Sequence, residues 1–354
     1  MYFLFLLDMD KLMKQLKAVV LGLLVLLCGA CMRNDDEPAL PERPISRLYV
    51  SLADFQTDET ADPFPNLAVI DPADSATMES ATAYRTAARG GGAIYFDPAI
   101  GSAFQGNRAD TNIYVLSVSN RGILSGSGTF GNGLLDAMRG VWYHHPSQNL
   151  YIANQTSPSK LYVYHAPLRN RGFREPTHSL ELGDVRPWGI CMYGDNMLIA
   201  RTGENGGVSV YTELPADTNS TSLEAAATLV VAGASDIRGV AYSPQADVMA
   251  LTDHNANRVY IFEQASSLFS ASGTITPTRI IAGAGTGLNG PIDVSIDDRE
   301  GGERLYVANA QSRTIVRYPL SASGNSSPET SVLLTHAPAS IHVDARGRAI
   351  APTD

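Results

Sequence analysis

Short apolar segments separated by Gly, Pro, Asn and Asp recur about every fifty residues along most of this chain. Each unit opens with an apolar run behind a small residue or a proline, and two further apolar runs and a less regular fourth one follow. One unit has these runs at residues 239–242, 248–251, 258–262 and 279–281. Four short strands per unit, with turn residues between them, are typical of the blade of a β-propeller.

Six such units predict an all-β fold, a six-bladed β-propeller that covers residues 45–354. The opening runs of the six units begin at Gly92, Gly140, Pro187, Gly239, Pro291 and Ala339. The last unit stops after its second run, and the runs at 47–51 and 66–70 lack a preceding pair. We therefore expect two C-terminal and two N-terminal strands to share one blade, which closes the ring and removes exposed edges. Seven blades remain an alternative if residues 47–88 form a blade of their own.

One unit carries a family resemblance. Residues 290–297, 304–309 and 313–318 resemble the NHL repeat, and the whole of 45–354 is similar to NHL-type and TolB-like six-bladed propellers. This resemblance implies the fold but not a single activity, because such propellers include lyases, lactonases, dehydrogenases and binding modules.

The N-terminal residues 1–30 predict a lipoprotein signal peptide whose true start is Met13. A basic segment at 13–17 precedes an apolar run at 18–27, which is too short to span a bilayer as a helix. The run ends in the lipobox Leu27-Cys28-Gly29-Ala30-Cys31, so we expect a lipid on Cys31 and a mature chain outside the cytoplasm. The alternative is an uncleaved membrane anchor.

Residues 31–44 are acidic and rich in proline, which predicts an extended tether between the lipid and the propeller. The cluster Asp35-Asp36-Glu37 resembles the surface-export signal of Bacteroidetes lipoproteins. We expect the bacterial outer membrane, on its periplasmic side or at the cell surface. The formal net charge of −10 argues against nucleic acid as a partner, so the membrane contact depends on the lipid.

The chain has three cysteines, and only Cys191 remains once Cys28 leaves with the signal peptide and Cys31 is acylated. No disulfide can then form within the mature chain. Cys191 lies in an apolar run, and we expect it to be a small buried hydrophobic residue rather than a reactive thiol.

In a propeller, the loops before the first strands and those between second and third strands open onto one face, around the channel. The first set carries three acid–arginine pairs and a further arginine, Arg89; the pairs are Asp136 with Arg139, Asp184 with Arg186, and Asp236 with Arg238. These arginines either form a site for a carboxylate or phosphate, or brace adjacent blades through the nearby aspartates. Trp188 and His254 complete the predicted ligand site on this face.

Asn154, Asp253 and Asn309 stand at comparable positions, at the ends of three second strands. This arrangement resembles the metal ligands of the gluconolactonase family, which implies calcium, a hard cation that prefers oxygen ligands. The expected glutamate is missing, and Asn and Asp are also the usual residues of tight turns. If a metal binds there, it would polarise a carbonyl and His254 would act as the base.

The sequence therefore predicts a lipid-anchored binding module whose ligand, a protein or a small anionic molecule, binds on the channel face. No catalytic residue can be assigned from the sequence. The alternatives are a calcium-dependent, lactonase-type hydrolase and a purely architectural envelope protein.

Overall fold

The computed structural model describes residues 44–348, apart from 56, 58–60, 80 and 216–219. The predicted signal peptide, Cys31 and all of the tether before Pro44 lie outside these residues. In the part described, 26 strands form six sheets of four or five strands, arranged as the blades of a propeller. The six-bladed prediction is confirmed, and the seven-bladed alternative is wrong because residues 45–84 belong to one sheet with the C-terminal strand.

The first three strands belong to the closing blade, blade 6: β1 (Ile45–Leu52), β2 (Leu67–Ile70) and β3 (Thr82–Tyr84). Blade 1 follows with β4 (Gly91–Asp97), β5 (Ser102–Asn107), β6 (Asn112–Val118) and β7 (Leu124–Gly131). Blade 2 contains β8 (Met138–His144), β9 (Asn149–Asn154), β10 (Lys160–His165) and an outer strand, β12 (His178–Glu181). Between β10 and β12, the short strand β11 (Gly172–Phe173) joins the edge of blade 1.

Blade 3 contains β13 (Pro187–Tyr193), β14 (Asn196–Arg201), β15 (Gly207–Tyr211) and β16 (Ala227–Val231). Blade 4 contains β17 (Ile237–Ser243), β18 (Val248–Asp253) and β19 (Arg258–Glu263); β20 (Gly273–Ile275) then joins the edge of blade 3, and β21 (Arg279–Ile281) ends blade 4. Blade 5 contains β22 (Pro291–Asp297), β23 (Arg304–Asn309), β24 (Thr314–Pro319) and β25 (Thr330–Leu333), and β26 (Pro338–Arg346) completes blade 6.

The closing blade differs from the expectation of two strands from each terminus. Its order is β26-β1-β2-β3, so one C-terminal strand joins three N-terminal strands. β1 occupies the second position because it pairs with β26 along its whole length, from Ile45 opposite Arg346 to Leu52 opposite Pro338. Of the predicted second C-terminal strand, residues 348–351, Arg348 is not part of a strand and the other three residues lie outside the described part of the chain.

The core lies between the blades. All six residues of β18 and of β23 are buried, because each sheet packs against a neighbour on both of its faces. Blades 3 and 4, for example, share a cluster that includes Leu198, Val208 and Tyr260. Burial on both faces explains why these strands read as continuous apolar runs rather than as alternating ones.

Helix is confined to three short 3₁₀ segments among the described residues: Pro167–Arg169, Ala265–Leu268 and Ala284–Thr286. In this part of the chain no helix has the length and apolar character needed to cross a membrane.

The first strand of each blade has a β-bulge near the end at which the chain enters the strand. We call the opening of the central channel at this end the channel mouth. The pairing register shifts between Met138 and Gly140 in blade 2, and at the corresponding positions of the other blades. A bulge redirects one side chain out of the regular alternation of a strand. The bulged positions form a ring around the mouth: Gly92, Arg139, Trp188, Arg238, Ile292 and Ala339.

Candidate binding site at the channel mouth

Blades 2, 3 and 4 place Arg139, Trp188 and Arg238 on the ring of bulged positions. The guanidinium carbons of Arg139 and Arg238 lie 4.5 Å and 4.4 Å from the centroid of the Trp188 ring. A cation over an indole ring contributes about 0.5–1 kcal/mol at an exposed site and more where water is excluded. The structure thus brings together three of the residues predicted for the ligand site and holds two positive charges at one aromatic ring.

Arg238 has a carboxylate partner in its own blade. Its Nε and Nη2 donate to Oδ2 of Asp236 at 3.0 Å and 2.8 Å. Asp236 is buried and also accepts a hydrogen bond from the hydroxyl of Thr202, which belongs to blade 3. This pair joins two blades, as the bracing interpretation predicted, and it balances the charge of Arg238.

Arg139 has no carboxylate partner among the described residues. Its Nε donates to Oε1 of Gln155 at 3.0 Å, while the neighbouring Asp136 is exposed and accepts instead from Asn154. Burial lowers the pKa of the Arg139 guanidinium, and the charges of Arg108 and Arg238 lower it further. Arg139 therefore carries a poorly compensated positive charge beside Trp188.

The other two predicted arginines do not join this group. Arg186 and Asp184 are both exposed and form no ion pair with each other. Arg89 is exposed on the loop before β4, and neither Arg89 nor Arg186 lines the central cavity. Of the three predicted acid–arginine pairs, the structure contains only that of Asp236 and Arg238.

His254 follows β18 at the mouth, and its backbone N–H donates to the carbonyl of Asp236 at 2.9 Å. Its ring Nδ1 is buried and has no hydrogen-bond partner in the described part of the chain. Burial lowers the pKa of His254, and the nearby Arg238 lowers it further, so the ring is neutral at pH 7. The structure thus places His254 next to the mouth.

The three predicted metal ligands are fully buried and perform the same structural role in blades 2, 4 and 5. Each side chain accepts a backbone N–H from the loop that leads into the first strand of its own blade: Ala137 donates to Asn154, Ser235 and Asp236 to Asp253, and Asn289 to Asn309. These bonds account for Asn or Asp at these positions without a metal. No group of three His, Cys, Asp or Glu side chains suited to a metal occurs in the described residues. The metal site remains a prediction.

Below the ring of bulged positions, the channel contains a cavity of about 120 Å³. Tyr95 lies between two other lining side chains, with ring centroids 4.4 Å from Trp142 and 4.5 Å from His342. Burial lowers the pKa of His342 to about 4, which leaves the ring neutral. Sequence reasoning missed Tyr95 and His342, although both occupy the same position of the repeat as Trp142.

Asp293 also lines this cavity and was missed. Its carboxylate accepts from the hydroxyl of Ser340 at 2.7 Å and from the N–H groups of Ile341 and Val294 at 2.9 Å. Burial raises the pKa of Asp293 to about 6. The equivalent residues of blades 2, 3 and 4 are glycines, so an acid at a glycine position of the repeat was the signal in the sequence.

Cys191 faces the channel at the same repeat position as Trp142 and is 3% exposed. Burial raises the pKa of its thiol to about 12, so the thiol is protonated. This confirms the expectation of a small buried hydrophobic residue.

Four exposed apolar side chains lie at strand ends and in loops of the face that carries the mouth. Phe55 and Phe64 lie in the connection between β1 and β2, Leu134 precedes β8, and Leu333 precedes the loop into β26. The Phe64 ring stacks on His336 with centroids 4.7 Å apart. These side chains lie on the same face as Arg139 and Trp188.

None of the protein-family models matches the sequence. No curated protein matches it either. Among solved structures, a chain from a crystal structure of a nidogen/laminin complex has a TM-score of 0.60 at 13% identity, with 86% of this chain and 100% of that chain covered. A functionally unknown protein from Desulfotomaculum acetoxidans has a TM-score of 0.49 at 11% identity and covers 77% of this chain and 75% of its own. The likeness to the first of these structures supports the propeller fold and, at such low identity, nothing beyond the fold.

Proposed function

We propose that this protein is a binding module that holds an anionic group of its ligand at the channel mouth. The observation that carries the proposal is Arg139, a partly buried guanidinium without a carboxylate partner among the described residues, beside Trp188 and Arg238. A carboxylate bound there would receive charge-assisted hydrogen bonds from Arg139, and these are about twice as strong as neutral ones. Arg238 adds positive potential while Asp236 holds it in place.

The surroundings of the mouth favour a carboxylate that belongs to a protein partner. Phe55, Phe64, Leu134 and Leu333 expose apolar side chains on this face, and a protein partner that binds there would bury them. The propeller fold also occurs in the nidogen/laminin complex, so protein binding is within the range of this fold.

The site can be tested by fluorescence, because the only two tryptophans of the chain, Trp142 and Trp188, both line the channel. We expect succinate, citrate or inorganic phosphate, titrated at low ionic strength, to change this fluorescence saturably. Arg139→Gln should weaken that binding at least about ten-fold, which corresponds to the loss of one charge-assisted contact. Arg348→Gln is the control, because Arg348 is exposed and pairs with Glu300 away from the mouth. Equal binding by Arg139→Gln, or no saturable change with any anion, would contradict the proposal.

We also propose that the protein is a lipoprotein of the bacterial outer membrane, anchored through Cys31. The basic segment, the apolar run and the lipobox support this assignment, as does the acidic tether that follows. The resemblance of residues 290–318 to the NHL repeat supports grouping the propeller with NHL-type domains. In the native host, we expect the full-length chain in the membrane fraction, with a diacylglycerol-bearing N-terminal peptide detected by mass spectrometry. Cys31→Ser should remove both signals, and retention of the variant in the membrane would argue for an uncleaved anchor.

A further inference from the structure

Most blades of this propeller have their outer strand covered by the following blade. The covering segment is the connection between the third and fourth strands. β11 pairs in parallel with β7 of blade 1, and β20 pairs in parallel with β16 of blade 3. In blades 2 and 4 the covering segment forms a single parallel β-bridge with the outer strand. The bridged residues are Ser222 and Glu181 in blade 2, and Gly324 and Ile281 in blade 4.

Blade 5 is covered by the connection between β2 and β3 of blade 6. The N–H of Met78 donates to the Thr330 hydroxyl on β25 at 3.2 Å. Arg317 of β24 donates to the carbonyls of Ala73 and Ser75 at 2.8 Å and 2.7 Å. Five of the six blades therefore have a segment of the next blade against their outer strand.

Blade 6 is the exception. The connection that would cover it, residues 119–123 of blade 1, is a tight turn closed by bonds between Ser119 and both Gly122 and Ile123. This turn contacts β1, where Arg47 donates to the carbonyl of Asn120 at 3.0 Å. No described segment pairs with the outer side of β3, and Thr82 and Ala83 are exposed.

A groove of about 230 Å³ lies at the C-terminal end of this uncovered strand. Its walls are residues 84–87 on one side and β6 and β7 on the other, with Leu116 and Leu124 as apolar lining. Gly126 also lines the groove, and a methyl group built on it would meet no atom within 4 Å. The space next to β3 is therefore open in the position where other blades hold their covering segment.

We propose that β3 is a docking edge for an extended segment of a partner protein, which pairs in parallel with it and fills the groove. Free N–H and C=O groups on the edge of a sheet readily pair with an added strand. The covering segment of blade 3 shows which chemistry fits, since Gly273-Thr274-Ile275 combines glycine with an apolar side chain, Ile275, that is buried against the blade. Arg85 is exposed on the groove wall, so an acidic residue next to the apolar one suits the site.

This proposal does not depend on the anion site at the channel mouth. It can be tested by selecting a displayed library of random heptapeptides on the wild-type protein and measuring the enriched peptides by fluorescence anisotropy. Ala83→Pro removes one N–H from β3, and proline is tolerated on an edge strand. Gly126→Leu places an apolar side chain at the groove wall, where its Cβ would meet no atom within 4 Å. We expect enriched peptides with glycine and apolar residues whose affinity falls at least about ten-fold in both variants and is unchanged in Arg139→Gln.

Three outcomes would overturn the proposal. One is that no peptide is enriched. Another is that the enriched peptides bind Gly126→Leu as tightly as wild type while that variant keeps the wild-type melting temperature. The third is a dimer, measured by sedimentation, that Ala83→Pro dissociates, because β3 would then pair with a second copy of this chain.

Discussion

At the scale of single residues, close backbone approach restricts side-chain size where the first strands of neighbouring blades meet. A methyl group on Gly140 would lie 2.6 Å from the carbonyl oxygen of Trp188, and one on Gly239 would lie 2.7 Å from Cα of Asp293. These contacts are shorter than atoms tolerate, so the approach of the blades around the channel requires glycine at both positions.

Gly239→Ala should therefore lower the free energy of unfolding by about 1–3 kcal/mol, because the neighbouring strand must shift to admit the methyl group. Gly126→Ala is the matched control, since its methyl group meets nothing within 4 Å. Denaturant unfolding of both variants gives the comparison. A Gly239→Ala protein as stable as the control would show that the blades have room to separate at this point.

Asp293 should make stability depend on pH. Burial raises the pKa of its carboxyl in the folded protein from 3.8 to about 6. Between about pH 4 and pH 6, this carboxyl therefore binds more protons in the folded state than in the unfolded state. Its contribution to the free energy of unfolding is greatest below pH 4 and falls as the pH rises to 6. Relative to Asp293→Asn, we expect wild type to lose on the order of 1–3 kcal/mol of unfolding free energy across this window. Parallel curves for the two proteins from pH 4 to 7 would contradict the shift.

At the scale of elements, a side chain at the end of the second strand ties it to the loop before the first strand of the same blade in blades 2, 4 and 5. Asn154, Asp253 and Asn309 repeat this bond, which turns the loops toward the mouth and thereby positions Arg139 and Arg238. An amide oxygen accepts one such N–H in blades 2 and 5, whereas in blade 4 each oxygen of the Asp253 carboxylate accepts one, from Ser235 and from Asp236.

Asp253→Asn should therefore lower the unfolding free energy by about 1–3 kcal/mol, because its amide nitrogen would leave one of the two backbone N–H groups without an acceptor. Asp253→Ala should lower it further by leaving both N–H groups without an acceptor. Denaturant unfolding measures both values. Plasma mass spectrometry of chelator-free protein separates this role from the calcium hypothesis. About one equivalent of calcium in wild type that is lost in Asp253→Asn would establish Asp253 as a metal ligand.

At the scale of the whole molecule, β26 closes the ring by pairing with β1 and packing between blades 5 and 1. Ser340, on β26, accepts the N–H of Ile94 in blade 1 and donates to Asp293 in blade 5. One C-terminal strand therefore connects three blades, and its loss would leave the edge of β1 and the sides of two blades without partners.

A chain that ends at Ala337 should fail to give a folded monomer, whereas one that ends at Gly347 should melt within a few degrees of wild type. Circular dichroism and size-exclusion chromatography distinguish these results. A stable monomer without β26 would mean that the other five blades hold the ring by themselves.

The sequence by itself predicted six blades and most of their strands, because period, turn residues and apolar runs are local properties that every blade repeats. It also identified Arg139, Trp188 and Arg238 as residues of one face. Only the tertiary structure decided that the closing blade contains one C-terminal and three N-terminal strands. This depends on which strand edges meet when the first and last parts of the chain come together in the closed ring. The tertiary structure also decided that, among the described residues, Arg238 has a carboxylate partner and Arg139 has none, and that the Asp293 carboxylate lines the cavity. These outcomes depend on the bulges and on the convergence of distant blades, which a linear pattern does not encode.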